Sequence, residues 1–262
     1  RQEVLFHEEH RREDDVAARD VVEAALQRAC VFAPLAGGVD AEDQAGQFAA
    51  QALLTCADAV TQKELLPKIA SGAAIVSVAF AEPNGRWDLA SIGLRASGTG
   101  ANVTLDGEKT LVLDGLSADV LLVVARGDAG LELLRVNADA PGLSRSAIPP
   151  LDLTRKLARV RFASTPATRI SSGDQTANFE RVLAFVCAAL AAEQVGGAQK
   201  CLEMATDYAK SRLQFGRPIG SYQAIKHKCA EMLVAVEMAK SAATNALFIA
   251  AANEPDFLEA AA

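Results

Sequence analysis

The chain has 262 residues, 50% of them apolar and 23% charged, which is the balance of a folded globular protein and excludes wholesale disorder. Its 26 Lys and Arg against 33 Asp and Glu leave a net charge of −7 with no basic cluster interleaved with aromatics, so nucleic acid is not an expected partner. Five cysteines without CxxC spacing exclude a disulfide framework and a zinc site, and they point to a reducing cytoplasm.

No basic segment followed by an apolar stretch opens the sequence, so no signal peptide is expected. From Asp15 to Leu66 the chain is rich in Ala, Glu, Gln and Leu. Apolar residues recur there at helical spacing, first Val21, Val22, Ala25 and Leu26, then Phe48, Ala52, Leu53 and Cys56. These predict helices, interrupted by a loop at Pro34 to Val39, in an N-terminal helical domain over residues 1–73.

The pattern changes at Ala74. Ile75 to Phe80 reads as a strand, and Asn102 to Leu113 reads as two alternating runs joined by an Asp106-Gly107 hairpin turn. Val120 to Arg126, Leu131 to Val136, Leu143 to Ile148 and Leu157 to Phe162 follow at close intervals, as antiparallel strands of a barrel or sandwich do. Pro149-Pro150 and the Ser-, Thr-, Pro- and Gly-rich segment Ala163 to Asn178 read as loops. The second marks the end of a β domain over residues 74–172.

Residues 173–262 are expected to form a second helical region. Val182 to Leu213 is one long helix, stopped by Gly216-Arg217-Pro218, and Tyr222 to Asn253 is another, stopped at Pro255. The unbroken apolar run Val182 to Ala192 has eleven residues, short of the ~20 that span a bilayer, so it is read as a buried helix face and no membrane partner is expected. Two long helices with a short connection form an antiparallel pair, and Phe257 to Ala262 looks like the start of a third bundle helix.

Two segments carry a family resemblance. Residues 63–88 (KELLPKIASGAAIVSVAFAEPNGRWD) resemble the helix, loop and first barrel strand of the acyl-CoA dehydrogenase family, ending in a version of its T-E-P-x-x-G-S-D pattern. Residues 191–232 resemble the same family's carboxy-terminal signature, through Arg212-Leu-Gln-Phe215-Gly216-Arg-Pro-Ile219, Gln223 and Ala230-Glu231-Met232. The likeness runs from about Thr61 to Asn253 and is strongest to the bacterial branch that handles unusual acyl chains, including those of steroid side-chain degradation.

The resemblance implies an α+β fold: a helical domain, a middle antiparallel β-barrel and a C-terminal helical bundle, incomplete at both ends. It implies an FAD-dependent oxidoreductase that desaturates an acyl-CoA thioester between its α and β carbons. A carboxylate takes the α proton and the flavin accepts the β hydride. It also implies assembly with a homologous subunit as a homo- or hetero-tetramer. In some heterotetramers a degenerate, non-catalytic subunit completes the FAD site of its partner.

By the same resemblance, Arg212, Phe215 and Gln223 match positions that reach across a subunit interface to the FAD of the neighbouring chain. The competing reading makes Arg212 a helix C-terminal cap and Phe215 a core plug. Ala81 stands where the family has Thr or Ser against the flavin, and Leu111 and Leu113 stand where it has an aromatic residue and Thr. No acid falls near Val186, where one group of the family carries its base; another group carries it near the carboxy-terminus, after a Gly-rich segment. The candidates left are Glu180, which also reads as an N-terminal helix charge, and Glu193, which follows the apolar run and also reads as a half-buried paired carboxylate. His7, His10 and His227 form no metal pattern, and Gly196-Gly197 reads as a helix-packing site.

Overall fold

The computed structural model describes residues 41–252 and 257–261. The helices expected before residue 41 and the loop at Pro34 to Val39 lie outside the described residues. The chain divides into two compact units, the first running from Val39 to Leu183 and the second taking the residues from Ala184 onward.

The first unit opens with helices α1 (Ala41–Cys56) and α2 (Ala59–Ala70). Asp58 caps α2, its carboxylate accepting the Thr61 N–H at 2.8 Å. Gln62 donates to the Leu53 and Ala57 carbonyls at the end of α1, which ties the two helices together. Pro67 sits in the last turn of α2, where the helix is about to end.

Seven strands follow: β1 (Val76–Ala79), β2 (Arg95–Ser97), β3 (Asn102–Leu113), β4 (Val120–Arg126), β5 (Leu131–Asn137), β6 (Leu143–Ile148) and β7 (Leu157–Arg169). Pairing runs β4–β5–β7–β3–β2 and returns to β4 through Arg95 opposite Arg126, so five strands close a barrel, with β1 added beside β4 and β6 beside β7. Closure pairs each of the five strands on both sides and so leaves them no free edge. β4 is apolar from Val120 to Ala125 because both of its faces are covered. Leu121, Val123 and Ala125 join Leu105, Val112, Val160 and Phe162 in one core, while Leu122 and Val124 join Leu53, Leu65, Phe179 and Val182 in the other.

Three features differ from the sequence reading. The barrel is not wholly antiparallel, since β1 runs parallel to β4, with Val76 opposite Val120. Asp106-Gly107 is not a hairpin turn: β3 is one continuous strand, and the pair forms a bulge in its ladder with β7. Gly107 has φ 145° there, and the Asp106 carboxylate accepts the Ser164 N–H across the strands at 2.6 Å. The segment after Phe162 is not a loop until Ile170, because β7 continues to Arg169 with Thr165 and Ala167 buried. Its Ser, Thr and Pro residues sit in a strand paired with β3, where Pro166 faces Thr104.

Helix α3 (Thr176–Ser211) begins in the first unit and passes into the second. A two-residue-strand hairpin of β8 (Leu213–Gln214) and β9 (Arg217–Pro218) follows, then α4 (Gln223–Ala251) and the short α5 (Phe257–Ala260). Within the second unit Phe185, Ala188 and Ala192 pack with Ala246, Leu247 and Phe257, so the start of α3 meets the end of α4 and the pair is antiparallel. The apolar run is buried on one stripe only: Cys187 and Leu190 are exposed. By length and composition α3 and α4 are also long and apolar enough to cross a membrane, which counting unbroken runs overlooks because each apolar window tolerates isolated charges.

Candidate functional site

In the barrel unit the chain leaves β1 through Phe80 and reaches Ala81, whose carbonyl accepts the Thr110 N–H at 2.8 Å. Glu82 turns its carboxylate back toward the following loop and accepts the N–H groups of Gly93 and Leu94, each at 2.9 Å. Lys109 of β3 is fully buried, and its Nζ donates to Glu82 Oε1 at 2.8 Å and to the Phe80 carbonyl at 2.9 Å. Burial pushes the Lys109 ammonium down to about 8 against the pull of Glu82. Burial also works to raise the Glu82 carboxyl, but the Lys109 bond and the two N–H donors outweigh it and hold it below its ordinary value.

Ala81, Glu82 and Thr110 line a cleft of about 270 Å³ whose other walls include Pro83, Trp87, Leu111 and Arg159. Leu111 enters it from a second bulge in β3, between Lys109 and Val112, at φ 51° and 41% exposed. An apolar side chain held at positive φ on a surface is unusual and costs about 1–3 kcal/mol, the kind of strain that gathers at binding sites. Trp87, 62% exposed, lies tilted against Phe80 with ring centroids 6.3 Å apart. Arg159 is held by Glu108 at 2.9 Å.

The helical unit presents a different surface. Phe215 and Gly216 connect β8 to β9 with φ of 53° and 77°, the doubly left-handed turn that matches the twist of a tight hairpin. The Arg212 carbonyl accepts the Ile219 N–H at 2.8 Å and closes the hairpin base. Phe215 is 92% exposed, so it is not a core plug. Arg212 is exposed just past the end of α3, and Gln223 is exposed as the first residue of α4. Arg212, Phe215 and Gln223 therefore lie on one hairpin and the helix start that follows it, while Ala81 lies in the barrel unit.

Of the two candidate acids, Glu180 is exposed near the start of α3 and is not among the residues lining the cleft. Glu193 is half-buried in the helical unit. By resemblance the sequence places Glu82 and Lys109 in segments that frame the flavin, but it does not pair them, and it gives no role to Tyr222. The signal for Lys109 was strand alternation, since it lies in step with the buried Val103 and Leu105, but the charge of its side chain argues for the outward face.

Comparison with known proteins places this geometry. Residues 176–262 match the family described as Acyl-CoA dehydrogenase, C-terminal domain. The acyl-CoA dehydrogenase FadE34 of Mycobacterium tuberculosis is 33% identical over 246 residues, covering 88% of this chain and 33% of the relative. Acyl-CoA dehydrogenase IpdE2 of the same organism is 36% identical over 135 residues, covering 52% of this chain and 37% of the relative. The chain thus spans about a third of the length of these relatives. Among solved structures, the Tcur3481-Tcur3483 steroid ACAD superposes with a TM-score of 0.73 at 30% identity, covering 91% of this chain and 66% of that one. The chain belongs to the acyl-CoA dehydrogenase family, a family of FAD-dependent oxidoreductases.

Proposed function

We propose that the chain is a subunit of an FAD-dependent dehydrogenase that desaturates an acyl-CoA thioester, and that its Arg212–Pro218 hairpin completes an FAD site on a neighbouring homologous subunit. The observation that carries this reading is Phe215, 92% exposed at positive φ on a tight hairpin. A folded chain gains nothing by presenting a large ring to water in a strained conformation unless a partner covers it. The likeness to a steroid ACAD favours a bulky, steroid-derived acyl group. The apolar faces of α3 and α4 belong to a match with a helical family domain, which favours protein neighbours over lipid. The free thiols of Cys56, Cys187, Cys201 and Cys229 favour the cytoplasm.

The residues present fit a flavin in two places. Arg212 offers a guanidinium fork for pyrophosphate oxygens, and Phe215 a flat apolar face for the adenosine. In the barrel cleft, Ala81, Trp87 and Leu111 offer apolar walls for a planar ring system. Bound FAD would supply the acceptor for the β hydride. The chain's own residues would bind and orient: the Glu82–Lys109 pair fixes the strand end and the loop that frame the cleft, and Leu111 and Trp87 exclude water from it.

A second reading, that this chain is the non-catalytic partner of a heterotetramer, is favoured by the same cleft. Ala81 and Leu111 line it where the family pattern has a hydroxyl and an aromatic residue, and an aliphatic side chain cannot hydrogen-bond a flavin ring atom. Glu180, exposed and away from the cleft, is poorly placed as a base. The two readings part on turnover of the assembled complex with an acyl-CoA and an artificial electron acceptor. If this chain catalyses, Glu193→Gln lowers the rate by about 10²–10⁴-fold with flavin retained. If it is the partner, neither Glu180→Gln nor Glu193→Gln abolishes turnover, and turnover depends on an acid of the other subunit.

A further inference from the structure

We propose that Tyr222 is a positioning residue for the FAD hairpin: its ring and hydroxyl hold the Phe215–Arg217 turn in the conformation that presents Phe215. The inference rests on the hairpin's proposed role in FAD binding.

The hairpin needs an external support. Its ladder has only the pairs Leu213–Pro218 and Gln214–Arg217 above the bond that closes its base, and all six residues from 213 to 218 are exposed, so few hydrogen bonds and no burial fix it. Phe215 also occupies a left-handed conformation that favours glycine over a side chain with a Cβ. Left to itself, such a turn would open.

Tyr222 meets the hairpin in three ways. Its hydroxyl donates to the Gln214 carbonyl at 3.1 Å. The Arg217 guanidinium carbon lies 4.1 Å from its ring centroid, a cation–π contact. The Phe215 ring meets it edge to face, with centroids 6.4 Å apart at 88°. One side chain thus touches the residue before the turn, the first turn residue and the residue after it. Tyr222 is in turn well fixed. Its N–H donates to the Ile219 carbonyl at 3.1 Å, and its own carbonyl accepts the N–H groups of Ile225 and Lys226 at the start of α4, each at 3.1 Å. The Ser221 hydroxyl, next to it, donates to the Pro218 carbonyl at 2.7 Å. The helix start is a rigid post, and the tyrosine is the arm that reaches the hairpin.

This arrangement assigns different work to neighbouring residues. Phe215 and Arg212 face the cofactor, whereas Tyr222 and Arg217 hold the turn that carries Phe215. Preorganising an exposed turn lowers the ordering cost of binding, so losing the support speeds release of FAD without removing a contact to it.

The test uses the assembled full chain with two readouts, FAD dissociation followed by flavin fluorescence, and the rate of tryptic cleavage after Arg212. Tyr222→Leu should speed FAD release by roughly tenfold, and Tyr222→Phe, which keeps the ring, by about threefold. Cleavage after Arg212 should accelerate in the same order, and Arg217→Ala should follow the same direction, carrying the test if Tyr222→Leu fails to assemble. In a Phe215→Ala background, Tyr222→Leu should add little, since its effect passes through Phe215. The inference is overturned if Phe215→Ala speeds FAD release while Tyr222→Leu changes neither readout, or if the two substitutions act additively. Failure of the FAD reading looks different: Phe215→Ala and Arg212→Ala both leave FAD release unchanged. Faster cleavage in Tyr222→Leu then still supports its hold on the turn but overturns its role in cofactor binding.

Discussion

A lysine with no exposed surface, bonded to one carboxylate and one carbonyl, decides how the barrel cleft is built. Removing one member of a buried ion pair strands the other, at a cost of about 3–5 kcal/mol. Lys109→Met should therefore lower the unfolding free energy by about that amount in a denaturant titration, and adding Glu82→Gln should recover a large part of it. A loss under about 1 kcal/mol would show that water reaches the pair. The pH dependence has a definite sign. Folded Lys109 titrates near 8 and the unfolded side chain near 10.5, so between these values the unfolded chain holds a proton that the fold has released. Stability from this group rises with pH across that window, and the gap between wild type and Lys109→Met should widen from about pH 8 to about pH 10. Burial of the Cys56 thiol, pushed up to about 12, acts oppositely as pH rises from 9, but it is common to both proteins and cancels. Ala81, Leu111 and Leu113 were legible as departures from the family pattern. The Lys109–Glu82 pair was not, because a lysine at an inward strand position reads as exposed until its partner, distant in the sequence, is known.

At the scale of the element, short patterns were readable where one rule acted alone. β4, as a continuous apolar run, and β6 have the bounds that strand composition and flanking turn residues gave them. Asp106-Gly107 was misread because the same dipeptide serves a hairpin turn and a bulge, and long-range pairing with β2 and β7 chooses between them. That choice makes Gly107 specific. It has φ 145°, and a Cβ there would lie 2.7 Å from Leu94 Cδ1, so strain and overpacking act together. Gly107→Ala should cost about 1–3 kcal/mol, read as a lowered melting temperature; an unchanged melting temperature would mean that β3 is not bulged there. The stop after α3 was legible from Gly216-Arg217-Pro218, but not the hairpin, since its turn puts a phenylalanine where the common rule asks for Asn, Asp or Gly. Because Phe215 packs against so little, Phe215→Ala should leave the melting temperature of the flavin-free protein within about 2 °C, as surface substitutions do.

At the scale of the whole molecule, the order helices, barrel, helices and two family segments were enough to reach the acyl-CoA dehydrogenase family, because the motifs sit on the elements that the fold needs for its sites. What the chain's residues do not state is the base, since a carboxylate's role depends on what it faces and neither Glu180 nor Glu193 announces that in its neighbours along the chain. The most direct measurement of the central claim is an FAD titration of the assembled protein as wild type and as Arg212→Ala. A charge-assisted fork onto phosphate is worth about 1.5–3 kcal/mol, so Arg212→Ala should weaken FAD binding by roughly one to two decades while leaving assembly intact. Equal affinity in the two proteins, or an assembled wild type that binds no FAD, would contradict the assignment of this hairpin to the cofactor.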